Sequence, residues 1–418
     1  LALCTLGALI GIRCLQGDAL GYYAWLHSLV RDGDLDLANQ YAFLRPLLSY
    51  QLFPVAETGR IGNAFAFGSA LLWAPWYAAS LWIERNGLLL GLPSCPAEAA
   101  ASGIGGAGAW AVAVGSGAMA LAAVYLALDL ARRRAPLGVA SVSALAVAVG
   151  TPLLYYGAVE PGMSHAPGAL AVTLLFWLLR HDPVLEGERS FPWLTAGLAL
   201  GLAGLVRWQL LLIGPPLGLA LLWRRRWRAW AALALGAAAL LWPLPLVWSY
   251  AFGRPLVLPA IHQQPFTFLV GPRYLPQTWF AGRHGLFVWS PVVALCLTGL
   301  GLSWRRSPRL AAIALASFML QALLNASVND WWGGAAFGAR RMVELYPLYV
   351  LGLAEWLQFP PGKRGRALAL AFVGLAVGWS LLLLLVYRSG RLDHEFGTTS
   401  QALEVLRREW PALLRQAL

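Results

Sequence analysis

Charge is what this sequence has least of. Only 12% of its 418 residues are charged, against 59% hydrophobic, and the mean hydropathy is +0.62. A soluble domain carries about 25% charged residues, so a soluble globular fold is excluded. Lysine is nearly absent: Lys363 stands alone among the basic residues, and the rest are Arg. The four cysteines, Cys4, Cys14, Cys95 and Cys296, show no CxxC spacing. They offer neither a disulfide framework nor a metal knuckle and read as small buried residues. The alternation of a membrane β-barrel is missing. Also missing are the Walker A sequence, the dinucleotide fingerprint and HExxH, so neither ATP nor a nucleotide sugar has a visible soluble-type site.

Long apolar runs fill the chain. They lie near 1–16, 62–83, 105–131, 136–157, 162–179, 191–206, 208–223, 229–252, 285–304, 310–327, 338–357 and 367–387. Repeated uncharged stretches of about 20 residues mean an all-α polytopic membrane protein, because lipid-exposed backbone must satisfy its own hydrogen bonds. Residues 1–16 begin inside an apolar run without a Met. They read as the end of a first transmembrane helix in a fragment or incompletely built N-terminus; no charged n-region or cleavage site marks a signal peptide.

The net charge of +12 is explained by topology, and nucleic acid is not an expected partner. Basic clusters at Arg132/Arg133/Arg134, Arg180 with Arg189, Arg224/Arg225/Arg226/Arg228, Arg305/Arg306/Arg309 and Lys363/Arg364/Arg366 sit in short loops, which the positive-inside rule assigns to the cytoplasm. Hairpins then turn outside near 158–161, near Arg207, across 253–284 and across 328–337. Arg207 divides 191–223 into two short helices or a re-entrant pair. Segment 62–83, with Trp73, Pro75, Trp76, Tyr77 and Trp82, reads as an interfacial helix in preference to a span, which gives about 11 spanning helices. The expected organisation is one transmembrane domain over 1–387, with a first external loop over 17–104 that contains the juxtamembrane segment 62–83. An external amphipathic tail follows over 388–418.

Polar residues on the outer side come from distant parts of the chain. Asp18, Asp32, Asp34 and Asp36 follow the first helix with His27; Glu160 and His165 flank one hairpin. Arg207 stands alone, and His262, Gln263, Gln264, Arg273, Arg283 and His284 lie in the next loop. Asn325, Asn329, Asp330, Trp331, Trp332, Arg340, Arg341 and Glu344 complete the set. A one-sided polar set drawn from many helices is what an active site at a membrane face needs. Asp18 suits a general base that takes the proton of an acceptor hydroxyl, or caps a helix end. Glu160 and His165 suit a second acid or a leaving-group contact, or simple capping and anchoring. Arg340 and Arg341, after the glycine-rich Trp331–Gly338 stretch, suit a phosphate clamp, or a contact to anionic lipid headgroups. Arg283 and His284 open another helix with the same logic, and Arg207 either binds substrate or snorkels. Tyr22 and Trp331 join the substrate-binding candidates. No metal site is expected; Asp32, Asp34 and Asp36 are the weak alternative for a divalent ion, because Gly-Asp runs are common turns.

These motifs resemble the GT-C superfamily of membrane glycosyltransferases, and more narrowly the bacterial family 39 branch related to protein O-mannosyltransferases and aminoarabinose transferases. The resemblance is carried by Gly17-Asp18 through Asp36, Gly62-Asn63 to Tyr77, Glu160 to His165, Arg283 to Pro291 and Asp330 to Arg341, and covers most of the chain. It implies an external first loop with a catalytic acid, juxtamembrane helices and a polyprenyl-phosphate sugar donor. One departure is that Ala19 follows Asp18 where family members often carry an Asp-Glu pair, so the base can shift to Asp32 or Asp34. The implied activity is inverting transfer of a sugar to an acceptor hydroxyl or amine, on a glycan, lipid or protein, at the outer face of a bacterial inner membrane. Membrane lipids are the remaining expected partners. Two other classes stay open: a polytopic transporter or lipid flippase, and a non-catalytic subunit of a larger assembly.

Overall fold

In a computed structural model, residues 15–45, 54–86, 107–181, 191–257, 271–359 and 362–417 are described. All but the last two residues of the first helix expected over 1–16 fall outside this set, as do His262, Gln263, Gln264 and Arg189. So do 46–53 and 87–104 of the expected first loop. Among the described residues the architecture is helical, and the only β feature is an isolated bridge between Pro54 and Ile61.

Among the described residues four helices are long and apolar enough to cross a membrane: Gly108–Ala131, Trp227–Phe252, Pro308–Ala326 and Gly362–Arg388. Five shorter apolar helices accompany them, at Leu137–Gly150, His165–Leu178, Pro192–Val206, Trp208–Trp223 and Val292–Ser303. The chain is an integral membrane protein. Helix boundaries follow the apolar runs because the interruptions are chemical. Thr151-Pro152 ends one run, Ser290-Pro291 divides another, and the residue before proline is steered away from helical geometry.

Arg207 is such an interruption. The helix before it ends at Val206, Arg207 itself is extended (φ −153°, ψ 108°), and a 3₁₀ turn over Trp208–Ile213 follows. Gly197 meets Leu233 and Gly236, Gly201 meets Ala237 and Leu240, and Gly204 meets Leu241. The order is the same on both sides, so Phe191–Val206 and Trp227–Leu241 run parallel. The segment between them must therefore return across the bundle. Small residues let these backbones approach closely, which supplies packing where lipid offers no hydrophobic drive.

One core cluster fills the bundle and a second gathers around residues 15–44 and 65–77. In the second, α1 (Asp18–His27) packs on α2 (Gly68–Arg85). Trp25 Nε1 donates to the Phe65 carbonyl at 2.8 Å, Asn63 Nδ2 donates to the Gly21 carbonyl at 2.8 Å, and Trp73 Nε1 donates to Ser116 Oγ at 2.9 Å. These buried bonds fix α1 against the membrane helices, because an unmade bond would leave a polar group stranded in an apolar core. Residues 62–67 carry no helix; the helical part of the 62–83 stretch begins at Gly68 and holds Pro75 inside it. At the other end of the chain, α3 (Thr399–Ala417) follows the long Gly362–Arg388 helix and packs on it.

Candidate active site

Asp18 opens α1, and Gly17 sets it there. Gly17 has φ 55° and ψ −130°, a combination that side-chain-bearing residues avoid. The chain turns on this glycine and presents the Asp18 carboxylate at a helix N-terminus, where the backbone dipole favours negative charge. Arg340 comes from the other side of the bundle, at the start of a 3₁₀ turn over Arg340–Leu345. Its Nη2 donates to Asp18 Oδ2 at 2.8 Å. The pair is partly buried, with side chains 13% and 28% exposed for Arg340 and Asp18. Arg340 Nε is buried and has no hydrogen-bond partner.

Burial alone would raise the Asp18 pKa. The Arg340 guanidinium, by charge and by hydrogen bond, outweighs it, Arg341 and Arg207 add to the pull, and the carboxyl is held below its ordinary value. Glu160 behaves oppositely. Burial pushes its carboxyl up to about 7 against the pull of Arg340 and of a Tyr155 hydrogen bond, and the Asp18 charge adds to the rise. Two carboxyls near one guanidinium thus differ in state at neutral pH: Asp18 is ionised and Glu160 is poised to exchange a proton.

A second, largely buried network lies beside this pair. Glu344, 1% exposed, is ion-paired to Arg207, its Oε1 lying 3.0 Å from Arg207 Nε, and hydrogen-bonds His165 Nδ1 at 2.7 Å. Arg207 Nη1 donates to Ser164 Oγ at 2.9 Å, and Ser164 Oγ donates to the Tyr22 hydroxyl at 2.9 Å. His165 is itself wholly buried, with Tyr156 packed on its ring at 4.3 Å. The Tyr156 hydroxyl accepts from the Phe337 amide at 3.1 Å. The network therefore ties α1, the 159–164 turn, the break at Arg207 and the Arg340–Leu345 turn into one piece.

Arg341 points differently from Arg340. It is ion-paired to Asp330, and its Nη1 donates to the Asn325 side chain at 3.1 Å and to the Asp330 carbonyl at 2.9 Å. Trp331 lies in the same loop, and its carbonyl accepts from Asn325 Nδ2 at 3.0 Å. Arg283 and His284 are held by the chain after residue 389. Arg283 Nε donates to the Glu395 carbonyl at 2.7 Å, and its guanidinium sits 3.8 Å over the Trp332 ring and 4.4 Å over Phe396. His284 is buried in a left-handed conformation (φ 54°), 3.3 Å from the same carbonyl.

The Asp32, Asp34 and Asp36 carboxylates are engaged in turn chemistry. Asp34 accepts from Ser28 Oγ at 2.9 Å and from the Asp36 amide at 3.1 Å; Asp36 accepts from the Ala38 amide at 3.0 Å. Asp32 accepts from Asn39 at 2.9 Å and from Gln40. Among the described residues no three His, Cys, Asp or Glu side chains gather as a metal-binding group.

The structure thus brings Asp18, Arg340, Glu160, Arg207, His165 and Tyr22 into one contiguous region, within electrostatic reach of Arg341. Glu344, Ser164, Tyr155 and Tyr156 belong to the same region, and the sequence gives none of them a role. Glu344 alone stands in the outer polar set.

No family model matches the chain, and no curated protein matches it. Two crystal structures of ArnT from Cupriavidus metallidurans do. The form bound to undecaprenyl phosphate aligns at TM-score 0.53 and 16% identity, covering 99% of this chain and 72% of that one. The apo form aligns at TM-score 0.55 and 14% identity over the same shares. This chain has the GT-C fold. At this level of identity the likeness speaks for architecture alone.

Proposed function

We propose that this protein is a glycosyltransferase that takes a sugar from a polyprenyl-phosphate donor and passes it, with inversion, to an acceptor hydroxyl or amine at the outer face of the membrane. The observation that carries the reading is the contact of an ionised carboxylate, Asp18, with a guanidinium that has a free N–H, Arg340. Transfer from a phosphate-linked sugar needs these two groups side by side. The acceptor oxygen or nitrogen bonds to the anomeric carbon while the bond from that carbon to the phosphate oxygen breaks. The electron pair leaves with the phosphate, and the acceptor's proton passes to Asp18. Arg340 neutralises the charge that develops on the departing phosphate, and its unpaired Nε offers a second contact to it.

The other residues then take supporting roles. Glu160, titrating near neutrality, relays or holds a proton beside Asp18. Arg207 is placed by Glu344 and Ser164 to approach the sugar phosphate, and His165 acts through Glu344, since it is wholly buried. Tyr22 fixes the Ser164 hydroxyl. Arg341, with Trp331 in its loop, shapes the phosphate side, and Arg283 and His284 support that loop from behind. The undecaprenyl phosphate bound by the ArnT structure is the donor type this reading carries over. The catalytic face is outside the cell and the membrane is the bacterial inner membrane. A divalent metal is not part of the proposal.

Titration of purified protein with undecaprenyl phosphate, followed by tryptophan fluorescence, tests the donor assignment. Wild type should bind saturably, and Arg340→Gln should bind at least about tenfold more weakly, the loss expected for a charge-assisted contact. Equal binding by the two proteins would remove Arg340 from the phosphate site.

A further inference from the structure

Among the described residues, α3 leaves one apolar edge uncovered. Ala402 and Leu413 are fully buried, and with Val405 and Leu406 they join the core cluster of Leu383, Val386 and Tyr387 at the end of the Gly362–Arg388 helix. Glu409, on the same side, pairs with Arg391, its carboxylate oxygen 2.6 Å from Arg391 Nε. Beside this packed stripe stand Leu403, 51% exposed, and Trp410, 40% exposed. They are about two turns of helix apart, so they lie one above the other. Glu404, Arg408 and Arg415 fall on the far side, where Glu404 and Arg408 pair at 2.6 Å.

Depth decides what covers that edge. The Gly362–Arg388 helix carries no charge from Ala367 to Tyr387, a stretch of about the 20 residues that cross hydrocarbon. Its Leu375 and Leu381 side chains are exposed to lipid. Leu383, Val386 and Tyr387 belong to its last two turns before Arg388, so the helix packed on them sits where the hydrocarbon ends. Lipid that borders the span reaches the same level. An exposed leucine and tryptophan there lie in the layer where tryptophan concentrates. With apolar groups toward the bundle and the lipid and charges on the far side, α3 has the division of an interfacial helix.

We propose that α3 docks on the lipid surface, with Leu403 and Trp410 set into the lipid layer at the end of the bundle that holds Asp18. Tyr387 marks that end, because its ring packs on Phe337 at 5.5 Å in the loop that leads to Arg340. The chain just before α3 is tied to the same region. The Thr399 amide donates to the Gly282 carbonyl at 3.1 Å, and the Ala336 amide donates to the His394 carbonyl at 3.2 Å. The docked helix is therefore joined by a short connection to the loop that places Arg340. The proposal depends neither on the transfer reading nor on which side of the membrane this end faces.

Spin labels test this in the full chain reconstituted in phosphatidylcholine bilayers. Labels are placed singly through Leu403→Cys, Trp410→Cys, Arg408→Cys and Leu375→Cys, after Cys4→Ala, Cys14→Ala, Cys95→Ala and Cys296→Ala. Collision with oxygen, which concentrates in lipid, is compared with collision with a water-soluble nickel chelate. The label at position 375 sets the value for lipid. Labels at 403 and 410 should favour oxygen as it does, and the label at 408 should favour nickel. Nickel preference at 403 and 410 equal to that at 408 overturns the proposal. So does exclusion of both reagents there, which would show that a second copy or another protein segment covers the edge. If the cysteine-free chain does not fold, wild type is irradiated in bilayers of phosphatidylcholine with a diazirine on its acyl chain. Lipid should attach to Leu403 or Trp410 and not to Arg408; no attachment within α3 overturns the proposal.

Discussion

Asp18 and Arg340 stand 322 positions apart in sequence and 2.8 Å apart in space. Neither is positioned by its neighbours in sequence alone. Asp18 depends on the turn at Gly17 and on the packing of α1 against Phe65 and Trp73; Arg340 depends on the glycine-rich loop that precedes it. The pairing keeps the carboxylate ionised and holds the guanidinium where a phosphate would meet it, so an incoming phosphate competes with Asp18 for the same cation.

Arg340→Lys should not substitute for Arg340. A lysine keeps the charge and loses the planar fork that bonds Asp18 through one nitrogen and leaves Nε for a second oxygen. Transfer should fall by about 10²–10³-fold, the range for loss of one donor to a developing oxyanion. A rate within a few-fold of wild type in a steady-state assay would show that charge alone suffices.

Glu160 gives a pH signature in stability. Its folded-state pKa is raised to about 7 from an ordinary value of 4.5. Below about pH 4.5 both states hold the proton and the burial costs nothing extra. As the pH rises toward 7 the unfolded chain releases the proton first, and the folded protein loses stability until its own carboxyl ionises. Glu160→Gln removes that loss. Its thermal midpoint should exceed wild type at pH 8, by an amount worth up to about 3 kcal/mol, and the gap should shrink toward pH 4.5. A gap that does not change with pH would place Glu160 at its ordinary pKa.

Glu344→Gln should be strongly destabilising. It leaves Arg207, 12% exposed, as an uncompensated buried charge, a change that costs about 3–5 kcal/mol in comparable pairs. Arg207→Gln added to Glu344→Gln should recover part of the loss, because the double variant carries no orphan charge. A double-mutant cycle on the thermal midpoint measures the coupling; strict additivity would deny the ion pair.

Gly333→Ala reports on how the loop places Arg340. Gly333 has φ 84°, and a Cβ there would lie 3.1 Å from Arg340 Nε. The substitution should cost about 1 kcal/mol of backbone strain and displace the guanidinium, so transfer falls more than stability does. Gly334→Ala, with φ 71° and open space around it, carries the strain without the contact and serves as the comparison.

The helical runs, the break at Arg207 and the gathering of polar residues toward one face are legible in sequence, because each has a local cause: hydropathy, an arginine in an apolar run, and topology. The Glu344 network is not. In sequence Glu344 is one more member of the outer polar set, and only three-dimensional packing shows it buried between Arg207 and His165. The same holds for the chain beyond residue 389. In sequence it reads as a tail, yet the Glu395 carbonyl and the Phe396 ring hold Arg283, 112 and 113 positions away in chain order. The acidic run Asp32–Asp36 shows the converse: a metal-like pattern whose carboxylates serve local turns.

The most direct measurement is sugar transfer by Asp18→Asn. The purified variant and wild type would each be given a set of polyprenyl-phosphate hexoses and pentoses in detergent, and free polyprenyl phosphate would be quantified. Wild type should release polyprenyl phosphate from at least one donor when acceptor is present. Asp18→Asn, folded by its thermal midpoint and still able to bind undecaprenyl phosphate, should release about 10²–10⁴-fold less, the usual contribution of a general base. Release by Asp18→Asn at the wild-type rate would contradict the account.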